Sequence, residues 1–322
     1  MAACKNGKSF PSDFFNQPWI IQCHGGNKHT TTFIDPKKIN VEEKEIYEIK
    51  GKLCFGCIDE WLFLWDEQSK ECFFLELNSL SKVPLPPLPR EYNIMTTFSL
   101  SSSPNHSDCI IIFTGAKFEL ETNEVTERFI MCCRLHDEKW TKLLLDEDDQ
   151  RLVGETCVIL DGKLYAYGID EVIVFDVMSL LEGRIDTTTI TGPIMAIYPP
   201  TDMVSTHLVG SCGHIYLVRM YKYGMGPTIN MDIYRLDTSS DKWSRVNSIG
   251  ERTFFLSHRC YTSVCALDVG VPCNCIYYVP LCSEKERRIY KFCLDDHTMT
   301  FSLLSIEQTE HESSVCWFVP RR

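Results

Sequence analysis

One recurring pattern constrains the fold more than anything else in the chain. The stretch DIYRLDTSSDKWSRVNSIG, Asp232 to Gly250, runs through alternating apolar residues, an Asp, a short polar turn and a Trp that opens a second alternating run. Period-two alternation rich in β-branched and aromatic residues makes strands, because successive side chains leave a strand on opposite faces. Ile233 and Arg235 then share one face, and Tyr234 and Leu236 the other. The Asp reads as a turn cap that accepts hydrogen bonds from nearby backbone amides. The Trp reads as a large apolar anchor between adjacent sheets.

The layout recurs. WLFLWDEQSKECFFLEL (Trp61–Leu77) places Asp66 in the turn and Cys72 where Trp243 stands. FIMCCRLHDEKWTKLLL (Phe129–Leu145) carries Asp137 and Trp140, RIYKFCLDDHTMTFSLL (Arg288–Leu304) carries Asp295 and Phe301, and a weaker copy begins near Glu171. Shorter apolar strands opened by Gly or Cys accompany them: GKLCFGC, DCIIIFTG, GKLYAYG, CGHIYLVR and CNCIYYVP. The unit reads as strand, loop, strand, tight turn, strand, near the roughly 50-residue spacing of kelch-type repeats. One such unit cannot bury both faces of its sheet, whereas several stacked around an axis can.

The expected fold is therefore all-β, a single propeller over residues 18–320 behind a short lead, 1–17. Six blades fit best, with five, seven or a pair of β-sandwiches as alternatives. PWIIQC near the start and SSVCWFVP near the end supply strands whose pairing would close the ring and remove an open edge. The Pro-rich SKVPLPPLPREYN reads as a rigid connection between blades.

Composition excludes several function classes. The formal charge is -12, from 32 Lys plus Arg against 44 Asp plus Glu, which argues against nucleic acid as a partner. The acidic LLLDEDDQ (Leu143–Gln150) reads as a solvated loop. No apolar run approaches the roughly 20 residues of a membrane-spanning helix, and the N-terminus shows no secretory h-region. Seventeen cysteines without a secretory signal read as reduced, mostly buried thiols, which points to cytoplasm or nucleus.

Chemical motifs are sparse. Cys54 and Cys57 of CFGC lack a partner motif, align with Tyr165 and Gly168 of GKLYAYG, and would point to opposite faces of a strand. Cys273–Cys275 and Cys132–Cys133 read as buried thiols too. The nine histidines show no chelating spacing, and GGNKHT after Cys23 is not a phosphate loop. No cofactor or metal is expected, and no local catalytic motif stands out, which leaves convergence of groups from separate blades at the ring's axis open. The most unusual stretch is SIGERTFFLSHRCYTSVCA (Ser248–Ala266), where charged residues interrupt an apolar run. Phe254–Leu256 reads as the start of a blade. His214, Arg219, Arg252, His258 and Tyr261 are the candidate ligand-binding residues, chosen as polar groups beside strand ends.

Taken in order, PWIIQC, GKLCFGC, LPPLP, HLVGSCGHIYLVRMY, IYRLDTSSDKWSRVNSIGERTFFL, CNCIYYV and WFVP resemble the plant family built on domain of unknown function 295. That family is best known from F-box proteins with kelch-like propellers. The resemblance implies the propeller fold and carries over no catalytic residues. F-box members place a three-helix adaptor-binding segment before this domain, and the 17 residues ahead of Pro18 are too few for it. Two functions follow as expectations. The first is recognition of a partner protein through one face of blade loops, and the second is binding or conversion of a small plant metabolite in the axial channel.

Overall fold

The computed structural model describes residues 14–23, 31–37, 40–66, 68–88, 94–118, 125–145, 156–168, 170–194, 203–222, 228–257, 260–280, 288–304 and 314–320. They form six antiparallel-rich sheets, the blades of a six-bladed β-propeller. β1 (Trp19–Cys23), β2 (Thr31–Asp35) and β3 (Asn40–Lys44) belong to the first blade. The second holds β4 (Leu53–Ile58), β5 (Trp61–Trp65), β6 (Cys72–Glu76) and β7 (Lys82–Leu85). The third holds β8 (Ile94–Leu100), β9 (Ile110–Phe118), β10 (Val125–Arg134) and β11 (Thr141–Leu144). The fourth holds β12 (Cys157–Leu160), β13 (Lys163–Tyr167), β14 (Glu171–Asp176) and β15 (Thr187–Thr191). The fifth holds β16 (Met203–Ser211), β17 (His214–Lys222), β18 (Thr228–Asp237) and β19 (Lys242–Arg245).

The sixth blade departs from a plain meander. β20 (Arg252–Ser257) turns back into β21 (Tyr261–Cys265), then pairs in parallel with β22 (Cys275–Val279), which continues to β23 (Arg288–Cys293) and β24 (Thr298–Leu303). The unusual Ser248–Ala266 stretch is thus an extra hairpin, and Phe254–Leu256 does open the blade. The last strand, β25 (Ser314–Phe318), joins the first blade as its initial strand. It pairs antiparallel with β1 from Trp19↔Phe318 to Cys23↔Ser314, the expected closure between the two ends of the chain.

Two compact units can be distinguished: 1–83 with 221–230 and 247–322, and 84–220 with 231–246. In the first, Ile20, Ile34, Phe255, Val279, Ile289 and Trp317 form one apolar cluster between the sixth and first blades. Trp317 is 1% exposed, donates its indole N–H to the Leu256 carbonyl at 2.9 Å and meets Phe255 edge-on at 4.9 Å. In the second, Trp140 packs edge-on against Phe113 at 4.9 Å and donates to the Pro86 carbonyl at 2.8 Å. Of the Pro-rich stretch, Lys82–Leu85 is β7 of the second blade instead of a connection, Pro86 accepts this hydrogen bond, and residues 89–93 lie outside the described residues.

Turn chemistry follows the sequence in most places. Asp237 accepts from Ser239 N at 3.0 Å, Ser239 Oγ at 2.7 Å and Ser240 Oγ at 2.8 Å. Asp161–Gly162 and Cys212–Gly213 are two-residue hairpin loops with both φ positive, the mirror-image turn whose twist suits a β-hairpin. In the weaker copy Asp176 instead caps a short helix, α1 (Val177–Leu181), accepting from Ser179 N at 2.8 Å.

The repeat register is corrected in two blades, and each blade has four strands or more where the sequence unit has three. Asp66 lies between the second and third strands of its sheet, whereas Asp237 lies between the third and fourth. The counterpart of β18–β19 is therefore β6–β7, with Asn78 in the turn. GKLCFGC is a first strand and GKLYAYG a second, so Cys54 and Tyr165 are not equivalent. In the sixth blade the turn is capped by Asp296, which accepts from Thr298 N at 3.0 Å, and not by Asp295. Met299 opposite Phe292 occupies the place of Trp243 opposite Leu236, which leaves Phe301 56% exposed. The physical reason is common to all three: alternation repeats in every strand, so a frame shifted by one strand or two residues fits the pattern equally well.

Replacing Trp317 with Ala removes an indole at the ring-closing strand and leaves the Leu256 carbonyl without its donor. A loss of about 3–5 kcal/mol is expected for such a core truncation. Urea unfolding of Trp317→Ala beside the unaltered protein measures it, and a loss below about 1 kcal/mol would contradict the closure described.

Candidate functional site

His214 is exposed at the start of β17, its ring 6.5 Å from Tyr216. Arg219 lies five residues on, which on a strand means the opposite face and roughly 17 Å of separation. It is 1% exposed, and its guanidinium donates to the Pro193 carbonyl at 2.8 Å and the Tyr167 hydroxyl at 3.1 Å while lying over the Tyr234 ring. Those contacts make Arg219 a tie between neighbouring blades. The structure does not bring these two candidates together.

Arg252 donates from Nε to Ser263 Oγ at 3.0 Å and from its terminal nitrogen to the Ser263 carbonyl at 2.5 Å. It pairs with Cys265 at one end of the β20–β21 hairpin, whereas Tyr261 pairs with Leu256 at the other. These two are also held apart. His258 lies outside the described residues.

The CFGC motif behaves differently from its sequence reading. A β-bulge between Cys54 and Gly56 inserts one residue, so Cys54 pairs with Leu64 and Cys57 with Leu62, which share a face. Both thiols then enter one core with Cys23, Cys260 and Cys316. The Cys57 amide donates to Cys260 Sγ at 2.9 Å, and Cys57 Sγ donates to the Asp59 carbonyl at 3.1 Å. Cys316 is within hydrogen-bonding reach of Cys260, Cys54 and Cys57, and Cys23 of Cys54. Burial pushes the Cys57 thiol up to about 11. Hydrogen bonding to Cys54 and burial together raise Cys23, and hydrogen bonding to Cys260 foremost raises Cys316. Cys23, Cys57 and Cys316 are therefore neutral thiols at neutral pH, poor nucleophiles and poor ligands. Among the described residues no three His, Cys, Asp or Glu side chains are arranged to hold a metal ion.

A groove of about 180 Å³ opens between the sixth and first blades. One side of it follows a row across the sixth sheet, because Phe255 pairs with Tyr277, Tyr277 with Lys291, and Lys291 with Thr300. Phe255 and Tyr277 stack at 5.2 Å, 11° from parallel. Burial pushes the Tyr277 phenol up to about 12. Pro18, Val271 and Ile289 complete the apolar wall, and Lys37, Lys291, Thr300, Phe301 and Ser302 form the rim. Lys37 Nζ donates to the Gly270 carbonyl at 2.9 Å, which fixes the rim loop of the first blade to residues 266–271 of the last. Sequence reasoning missed this groove because its residues come from both ends of the chain. The only local sign was Phe301, an aromatic on a strand whose outward neighbours are polar.

A family model described as KIB1-4 beta-propeller matches residues 32–312, most of the chain. The chain belongs to that family. Curated relatives of this KIB1-4 propeller include a putative F-box protein of Arabidopsis thaliana, 22% identical over 94% of the chain and 82% of the relative. A second putative F-box protein of the same plant is 25% identical over 58% of the chain and 50% of the relative. An F-box/kelch-repeat protein, also from Arabidopsis thaliana, is 23% identical over 85% of the chain and 74% of the relative. No helix of the described residues is long and apolar enough to cross a membrane.

The described cysteines of this propeller are free thiols, with Cys212 and Cys273 exposed and the five-membered cluster buried. A thiol reagent is expected to modify Cys212 and Cys273 in the folded protein and the cluster only after denaturation, as peptide mass mapping would show. The raised Cys57 thiol also sets a pH dependence. Its folded form keeps its proton to about 11, whereas an unfolded thiol loses it near 8.5, so its contribution is complete below that value and lost as pH rises toward 11. The urea midpoint should therefore be lower at pH 10.5 than at pH 8.

Proposed function

We propose that this chain is a recognition module, an F-box-related propeller of the domain-of-unknown-function 295 lineage that binds a partner protein through one of its two loop faces in the cytoplasm or nucleus. The observation that carries this reading is the match of residues 32–312 to a propeller family whose curated relatives here are named F-box proteins. Exposed apolar side chains in loops support it, since such residues serve as interface anchors. Tyr47 is 67% exposed after β3, and Leu267 is 77% exposed after β21.

These two residues mark opposite ends of the sheets. Thr31 pairs with Lys44 at the end of the β2–β3 hairpin nearest Tyr47, and Asp35 pairs with Asn40 at the other end. Lys37 sits beyond that second end and bonds Gly270, three residues from Leu267. A partner held by one face depends on one of these residues and not on the other.

Affinity capture from plant extract with the unaltered chain, Tyr47→Asp and Leu267→Asp tests this. One variant is expected to lose a stoichiometric protein at least tenfold, about 1.4 kcal/mol of binding, with unchanged thermal unfolding. Retention by both variants, or no stoichiometric protein at all, would overturn the reading.

A further inference from the structure

We propose that the groove between the sixth and first blades is a binding site for a small ring-bearing carboxylate. The proposal does not depend on partner recognition, and none of the five candidate ligand-binding residues named from the sequence lines the groove. Three features of the groove define the ligand: its size, its aromatic wall and the sign of its rim.

The volume of about 180 Å³ exceeds the roughly 150 Å³ of an apolar cavity that accepts benzene, so one ring with a small polar substituent fits. Its aromatic wall is Tyr277 backed by Phe255, which is itself 1% exposed. Phe255 and Tyr277 stack nearly parallel, and the pair is buttressed by Trp317, which lies 4.9 Å from Phe255 and 6.2 Å from Tyr277. A ring placed in the groove meets Tyr277 held in place by this packing, so little is lost in arranging it.

The rim supplies charge of one sign. Lys37 and Lys291 line the groove together with Thr300 and Ser302 of β24, and the described lining contains no Asp or Glu. In a chain of formal charge -12, two lysines facing one apolar groove without a lining carboxylate stand out. Asp35, on the first-blade side, is engaged elsewhere: it accepts from the Lys37 amide at 2.8 Å and from Gln17 Nε2 at 3.3 Å. Lys37 Nζ spends one donor on Gly270 and retains others, while no hydrogen bond or salt bridge occupies the Lys291 ammonium among the described residues. An ammonium at the edge of an apolar wall favours a singly charged carboxylate whose ring covers that wall, since a charge-assisted hydrogen bond gains strength where water is displaced.

The test is fluorine NMR of 4-fluorobenzoate with the full chain, beside neutral 4-fluorobenzamide and competition by benzoate. Saturable binding of 4-fluorobenzoate is expected, at least tenfold tighter than the amide. Lys291→Met should weaken it at least tenfold. Thr300→Trp, at an exposed strand position, should abolish it by filling the groove with unchanged thermal unfolding. Equal binding of acid and amide, wild-type affinity in Lys291→Met, or absence of saturable binding overturns the proposal. Loss of partner capture in the loop variants bears only on the recognition reading, so the two fail separately.

Discussion

A β-sheet with two apolar faces has no stable existence alone, and this chain consists of six of them. β5 reads Trp-Leu-Phe-Leu-Trp and is buried at every position, as are all five residues of β1. Such strands require cover on both sides, which a circular stack of blades supplies and a pair of layers does not. The pairing of β25 with β1 is what makes the circle possible, because it joins the first blade to the end of the chain and removes two exposed edges at once. The Trp317 indole then locks this strand to β20 of the last blade. The thiol core and the groove both lie along elements that this closure brings together.

The same closure explains where chemistry is and is not found. The five buried thiols come from β1, β4, β25 and the turn before β21, segments far apart in the chain. Each alone looks like an ordinary strand cysteine. Burial raises Cys57, and hydrogen bonding within the cluster together with burial raises Cys23 and Cys316, so these act as apolar packing with weak S–H donors. The polar candidates Arg219 and Arg252 are likewise consumed by structure, one bonding a carbonyl and a phenol, the other a serine.

Much of the architecture was legible from residue order. Asp237 with Ser239 and Ser240, the Gly162 and Gly213 turns, and the paired terminal strands follow from local rules of turn geometry and alternation. The registration of the repeats was less legible. Asp66 and Asp237 look alike yet close different turns, because neither the alternation nor an Asp turn identifies which strand of four it borders. The bulge at Cys54–Gly56 was invisible for a related reason: an inserted residue in a strand changes facing without changing composition. It reversed the argument that the CFGC cysteines point apart.

The sequence by itself determined the class of fold, the polarity of the surface and most of the turns, since each depends on residues within a few positions of one another. Tertiary structure alone decided that β20–β21 is an added hairpin with a parallel neighbour, that Cys54 and Cys57 share a face, and that Phe255, Lys37 and Lys291 border one groove. Those outcomes depend on which strand lies beside which. The groove depends on the β1–β25 pairing, which joins residues nearly 300 positions apart, and the other two depend on a strand neighbour and an inserted residue that alternation does not reveal.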